Sequence, residues 1–408
     1  MKKVVNNKLL ILIGLFFSLV SCVDPYQLQN SNFEEIIVIE ATVSNELKKQ
    51  EVKISKTYRS GEDNEDALIS DADVFVQDSD GNQYNFEYET DKYVSTAEFQ
   101  AVANKEYELH VTTSDGKSYS STKQKLTTQT DIESVIASVV TNNDGIRGVE
   151  IAINSFDPTN TSKYYRYEYE ETSKVTAPEW KSEYAVVNPD LDNAVGHPYI
   201  ELFPRVTEAR ICYSTEKSKN LYLTSTNNLI EDRVINFPLR FIADSDYTIG
   251  ERYSINVKQY IQNLEAFTYF TTLKELSASG GDILSPNQPG FLLGNIKSDT
   301  NQNEKVIGFF EVASVSSKRI FFNYEELFPG ELQPPYFVDC TIQEFDYCFD
   351  PNAGCDGERL NGYVINNQFT FVEHPIPPSP SIIYKYVLSP CGDCTTFSSN
   401  IRPTFWID

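Results

Sequence analysis

Cys391-Gly392-Asp393-Cys394 sets two thiols at a spacing that serves two kinds of chemistry. One is thiol–disulfide exchange, which needs a thiolate. The start of a helix within a βαβ unit lowers the thiol pKa enough to supply it. The other is half of a tetrahedral zinc site, which needs four ligands. Pro390 precedes the motif, and Thr395 and Phe397 follow in strand-like sequence, so the redox context is missing. Cys340, Cys348 and Cys355 could supply the remaining zinc ligands. The structural alternative is that Cys212, Cys340, Cys348, Cys355, Cys391 and Cys394 pair as disulfides. The compartment decides among these.

Leu19-Val20-Ser21-Cys22 bears on the compartment. Lys2, Lys3 and Lys8 form a positive leader, and residues 9–20 are an apolar run. That run is shorter than the roughly 20 residues a bilayer span needs. It suits the apolar core of a secretory signal. A small residue and then a cysteine read as a lipobox, in which Cys22 becomes the acylated N-terminus carrying palmitate or related chains. The expectation is a signal peptide over 1–21 and a polar, lipid-anchored tether over 22–34. An exported chain favours oxidation, so the six later cysteines are expected to be structural disulfides, with no metal and no cofactor. Their connectivity stays open.

Other candidates are weaker. Asp78-Ser79-Asp80-Gly81-Asn82, with Glu89 beyond, has a calcium-loop composition, but its glycine is fourth and not sixth. Its flanks read as strands, so a hairpin turn is expected. His110 falls in an expected strand, His197 precedes Pro198 and His374 precedes Pro375. No Gly-x-Ser-x-Gly, His-Glu-x-x-His or phosphate-binding glycine loop is present, and no enzyme is expected. Tyr164, Tyr165, Tyr167 and Tyr169 could stack on sugars or peptides, although cross-strand packing is the expected role.

The elements that must position these residues are mostly strands. The 408 residues include 25 Tyr and 25 Phe but one Met, a strand-forming composition with many β-branched residues. The net charge is −25. The leader holds lysines and no acid, so the mature chain is more acidic still. Such a surface repels nucleic acid and anionic membranes. Ile36-Ile37-Val38-Ile39, Asp73-Val74-Phe75-Val76 and Glu106-Tyr107-Glu108-Leu109-His110-Val111 read as strands. Asp80-Gly81 and Asp115-Gly116 read as hairpin turns, where glycine accepts a positive φ. We expect a mainly β chain: an immunoglobulin/transthyretin-like β-sandwich over 35–127, then a larger antiparallel β domain over 128–408. The second region would carry one amphipathic helix within 258–276, with Tyr260, Ile261, Leu264, Phe267, Phe270 and Leu273 at helical spacing. It would end in a disulfide-stapled tail. Residues 127–131 read as a linker, 62–66 as a solvated acidic loop and 284–290 as a turn-rich loop. The aromatic face of Tyr165, Tyr167 and Tyr169 is expected to be exposed or half buried.

Several stretches together resemble one family. They are the lipobox, Ile37-Val38-Ile39-Glu40-Ala41-Thr42-Val43, Ala72-Asp73-Val74-Phe75-Val76, Leu293-Gly294-Asn295-Ile296, Val306-Ile307-Gly308-Phe309-Phe310 and Lys318-Arg319-Ile320-Phe321. The chain closes on Cys391-Gly392-Asp393-Cys394 and Arg402-Pro403-Thr404-Phe405-Trp406. This order resembles the Bacteroidota lipoprotein family described as domain of unknown function 4249. Thr395-Thr396-Phe397-Ser398-Ser399 stands where relatives often have glycines. The resemblance implies an outer-membrane, outward-facing lipoprotein encoded beside TonB-dependent receptors of the SusC type. It carries over no catalytic residue. The expected function is therefore a lipid-anchored accessory protein that captures or gates a substrate with such a transporter. The ligand, whether a small molecule, peptide or glycan, is unidentified. A structural subunit of an outer-membrane assembly or secretion machine is the alternative, and a surface hydrolase with a carboxylate pair is a third.

Overall fold

The computed structural model describes residues 35–57, 67–188, 200–278, 292, 294–348, 356–376 and 381–408. Cys22 with the signal and tether, the acidic run 62–66, His197, the loop 284–290 and Cys355 lie outside these residues.

The chain begins with β1 (Ile37–Ser44), β2 (Glu51–Lys56), β3 (Asp73–Asp78), β4 (Gln83–Glu89), β5 (Lys92–Ser95), β6 (Glu106–Thr112), β7 (Ser118–Ser121) and β8 (Gln124–Lys125). Alternate residues turn inward, as a half-buried strand requires: Val74 and Val76 from β3, and Tyr107, Leu109 and Val111 from β6. Gly81 has φ +86° and Gly116 φ +83°, so both aspartate–glycine pairs make the expected tight turns.

The next strands are β9 (Ile132–Thr141), β10 (Arg147–Asp157), β11 (Tyr164–Thr176), β12 (Glu183–Val187), β13 (Ile200–Pro204), β14 (Ile211–Lys217), β15 (Tyr222–Ser225), β16 (Asp232–Ala243) and β17 (Arg252–Gln262). Helix α1 (Leu264–Ala278) follows, then β18 (Ile296–Ser298), β19 (Val306–Asn323) and the short α2 (Tyr324–Leu327). The chain ends with β20 (Gln343–Cys348), α3 (Gly357–Ile365), β21 (Phe369–Ile376), β22 (Ser381–Leu388) and α4 (Ser389–Gly392).

β19 ties the architecture together. Residues 306–313 run parallel to β1, and residues 314–323 pair antiparallel with β17. One continuous sheet results, in the order β14-β11-β17-β19-β1-β2-β5-β4-β3-β6-β7-β18. Its first part encloses a core of residues from β1 to β7 together with Ile296, Val306, Phe310 and Val312. Its second part packs against a separate sheet, β16-β10-β9, through Val149, Ile151, Ile153, Tyr165, Tyr167 and Ile255. Both are layered β arrangements that bury one face of each sheet.

Two family-like stretches meet at the start of β19. A Cβ on Gly294 would lie 1.5 Å from the Gly308 carbonyl oxygen, and one on Gly308 (φ +132°) would lie 1.9 Å from that of Ile39. Only glycine permits this stacking of backbones. Beside it, Asn295 mimics a strand: its Nδ2 donates to the Phe310 carbonyl at 2.9 Å, and the Phe310 N–H donates back to Oδ1 at 2.8 Å.

Three expectations change. The helix starts at Leu264, and Tyr260 and Ile261 belong to β17. The inward alternation of Tyr253, Ile255 and Val257 carries the strand through to Gln262, and the Asn263 side chain then accepts the Ala266 N–H at 2.8 Å as an N-cap. Leu264 is exposed; the helix buries Ala266 and Tyr269, with Phe270 and Leu273 packed beside them. Second, Tyr165, Tyr167 and Tyr169 are buried, because the sheet β16-β10-β9 covers their face. Third, the described residues hold further helical turns beyond α1. Among them are α3, whose Leu360 and Val364 pack on Phe345, Phe371 and Tyr386, and α4, which is followed by a 3-10 turn over Cys394–Thr396 where Thr395 reads as strand-like. Residues 127–131 carry no strand, yet they are pinned: Thr127 Oγ1 donates to the Ile261 carbonyl at 2.7 Å, and Gln259 Nε2 donates to that of Thr130 at 2.8 Å.

Candidate functional site

β11 alternates tyrosines with charges. Because its tyrosines enter the core, Arg166 and Glu168 must project from the opposite face. There Arg166 sits opposite Tyr260 of β17. Its guanidinium lies 4.0 Å from the Tyr260 ring centroid and 5.0 Å from that of Phe270 on α1. This sandwich suits a delocalised, weakly hydrated cation. Nη2 donates to Glu311 Oε2 at 2.8 Å, and Nη1 donates to Glu168 Oε1. Gln262 Nε2 donates to Glu311 Oε1 at 2.7 Å, and the Tyr260 hydroxyl donates to Glu168 Oε2 at 3.0 Å.

The side chains of Arg166 and Glu311 are 6% and 3% exposed, whereas that of Glu168 is 44% exposed. The first two form a buried pair, and Glu168 presents its carboxylate to the outside from a fixed base. Burial works against the charge on Arg166, but Glu311 and Glu168 outweigh it and hold its pKa above the usual arginine value. Burial, reinforced by Glu168, raises the Tyr260 phenol, which stays a hydrogen-bond donor.

Above this floor lies an open cleft of about 960 Å³, at the upper end of the roughly 300–1,000 Å³ typical of ligand cavities. β1 and β2 form one wall with Glu40, Thr42 and Lys53. α1 forms another with Phe270, Leu273 and Lys274, and the segment containing Lys219, Asn220, Leu221 and Tyr222 closes a third side. The arrangement can bind and orient a ligand through charged hydrogen bonds and ring faces. Glu168, which lines the cleft, and the buried Glu311 are tied to the same arginine.

The cysteines take a different part. Cys391 is bonded to Cys340, and Cys394 to Cys212. The two members of the Cys-x-x-Cys motif therefore do not bond to each other, and these four thiols are used as structural staples, not as a redox pair or zinc ligands. Cys348 is the last residue of β20. The supposed calcium loop is a hairpin in which Asp78 accepts from Asp80 N–H, Asn82 N–H and Lys105 Nζ. His110 stacks on Phe75 with centroids 4.7 Å apart. Of the tyrosine ladder, Tyr164 lies against Phe267 of α1, and the other three are core.

Sequence reasoning missed Arg166, Glu168, Gln262 and Glu311 as a group. The alternation Tyr165-Arg166-Tyr167-Glu168-Tyr169 carried the available signal: two charges on one strand face. Nothing local shows that α1 will cover that face or that β19 will bring Glu311 to it.

The closing motifs also meet in space. Trp406 packs on Tyr213 and Phe321, with centroids 5.0 and 5.7 Å away, and the Arg319 guanidinium lies 3.5 Å from the Phe405 centroid. No curated protein matches the chain. Among solved structures, the chain is similar to one titled "Biofilm associated protein - BSP domain" at 8% identity, covering 88% of this chain and 79% of that one, with a TM-score of 0.14. A likeness that weak carries no argument. A family model described as "Domain of unknown function (DUF4249)" matches residues 23–319. The match takes in the β1 stretch, the Gly294–Gly308 contact and the two acids bound to Arg166, Glu168 and Glu311, and it ends before the closing cysteines. With well over half of the chain matched, this protein belongs to the DUF4249 family.

Proposed function

We propose that the protein is a lipid-anchored, outward-facing accessory of a TonB-dependent outer-membrane transporter, and that it captures or gates the substrate without chemical conversion. The cleft over Arg166 carries this reading: it is large enough for a ligand, its floor is cross-linked by charged hydrogen bonds, and its walls come from three separate elements. The Leu19-Val20-Ser21-Cys22 motif and the genomic setting implied by the family resemblance supply the anchor and the partner. An anchor with a tether raises the effective concentration of the cleft near the barrel. A purely structural role is the second reading. It is favoured by the exposed apolar side chains Tyr184, Val186, Phe203 and Val206 on and beside the β12–β13 hairpin, which suit docking.

The test is a pull-down of the tagged lipoprotein from gently solubilised outer membrane with mass spectrometry. A stoichiometric TonB-dependent receptor is the expected result. Recovery with assembly or secretion components would favour the structural reading. Palmitate labelling lost on Cys22→Ser checks the anchor.

A further inference from the structure

We infer that the cleft over Arg166 binds an acidic oligosaccharide, with its carboxylates on Lys53, Lys219 and Lys274, its hydroxyls on Glu168 and its ring faces against Phe270 and Tyr222. Binding itself rests on the cleft alone; the delivery of the bound sugar to a transporter rests on the capture reading.

Lysines unpaired among the described residues leave the cleft open to an anion. A chain of net charge −25 repels anions at long range. Within the cleft, Lys48 and Lys92 are paired with Glu46 and Glu51. Lys53, Lys219 and Lys274 are exposed and form no ion pair among the described residues. Glu40 stands opposite Lys53 across the β1–β2 ladder, and Asp91 also lines the cleft. The three lysines balance these two acids and the one carboxylate that Arg166 leaves unmatched between Glu168 and Glu311, so the cleft escapes the net negative charge of the chain. In so acidic a protein, this is a place where an anion finds open donors.

The groups beside the lysines suit hydroxyls and sugar rings. Glu168 is clamped from beneath by Arg166 and Tyr260, and each of its oxygens keeps a lone pair for the cleft. A carboxylate held in one orientation can accept two hydroxyls on neighbouring carbons with little further ordering cost. Phe270 and Tyr222 are half-buried and line the same space, so each offers apolar ring surface to the C–H face of a sugar ring.

The competing ligand is an acidic peptide. Extended peptides gain affinity mainly by adding a strand to a free sheet edge. The long strands lining this cleft, β1, β2, β11 and β17, each lie between two hydrogen-bonded neighbours. β15, which brings Tyr222, has only 4 residues. The cleft therefore offers side chains and not a backbone ladder, which favours a ligand recognised through hydroxyls and carboxylates.

The test is titration calorimetry on the detergent-solubilised full-length lipoprotein. The probes are trimers of galacturonate and of glucuronate, the matching neutral trimers, and triglutamate. The uronates are expected to bind, more weakly as salt rises, and about tenfold or more tighter than the neutral trimers. Lys219→Gln and Lys274→Gln are each expected to weaken uronate binding about three- to tenfold with an unchanged melting temperature. Equal binding of neutral trimers, equal or tighter binding of triglutamate, or no uronate binding would each overturn the inference. Uronate binding by a protein that recovers no receptor sinks the transporter reading alone. A recovered receptor without uronate binding sinks this inference alone.

Discussion

Arg166 on β11 donates to Glu311 on β19 at 2.8 Å, across 145 positions of sequence. The contact spans the intervening strand β17, which lies between those two in the sheet. Its partners Gln262 and Tyr260 come from that middle strand. Three adjacent strands thus share one polar knot on the face that α1 covers.

Breaking that knot from one side is expected to be costly. Glu311→Leu leaves the Arg166 charge buried with one acid fewer, and a loss of about 3–5 kcal/mol in urea unfolding is expected. The double variant Arg166→Met with Glu311→Leu is expected to recover part of that loss, because well-packed apolar groups can replace a buried pair. Single variants costing under about 1 kcal/mol would mean the pair is solvated in solution.

The disulfides give a direct chemical check. Non-reducing peptide mapping is expected to return Cys212–Cys394 and Cys340–Cys391. Cys394→Ser opens a link spanning 182 positions, and a loss of about 2–5 kcal/mol is expected. A peptide containing a Cys391–Cys394 bond in the oxidised protein would contradict the structure.

Two glycines with positive φ separate turn strain from steric exclusion. At Gly81 a Cβ meets nothing within 4 Å, so Gly81→Ala is expected to cost about 1–2 kcal/mol from the left-handed backbone alone. At Gly308 the Cβ would overlap the Ile39 carbonyl, so Gly308→Ala is expected to cost about 3 kcal/mol or more by prising β19 from β1. Similar melting temperatures for the two variants would argue against the parallel β1–β19 register.

Acid should act on the β3–β4 hairpin. Burial alone would raise the pKa of Asp78, but hydrogen bonds from Asn82, Lys105 and the backbone outweigh it and hold the carboxyl well below the usual range. An unfolded aspartate titrates near about 4. The contribution of Asp78 is therefore complete above that pH and is lost as pH falls toward the lower folded value. The stability gap between wild type and Asp78→Asn is expected to be widest above about pH 5 and to narrow below about pH 4. Urea midpoints at a series of pH values measure it, and a gap that stays constant down to about pH 2.5 would rule out this role.

The β-rich class, the two aspartate–glycine hairpins and the family were legible because each depends on local patterns: period-two alternation, a positive φ that glycine tolerates, and the order of short motifs. The boundary of α1 was misread because Tyr260 and Ile261 fit helical spacing as well as strand alternation. Only the neighbours of β17 on either side decide between them. Gly294, Asn295 and Gly308 stand out as residues but not as a contact, since their meaning is one backbone resting on another.

From the amino-acid sequence alone come the acidic charge, the strand composition, the Leu19-Val20-Ser21-Cys22 motif and a set of cysteines large enough to staple the fold. Tertiary structure alone decided which cysteines pair, that β19 serves both β1 and β17, that the β11 tyrosines are core, and that Arg166 and Glu168, tied to buried Glu311, line a cleft. The reason is physical. Local patterns report the preferences of a backbone segment and its neighbours in sequence, whereas pairing across 145 or 182 positions depends on loop closure and burial. These are set by the whole chain at once.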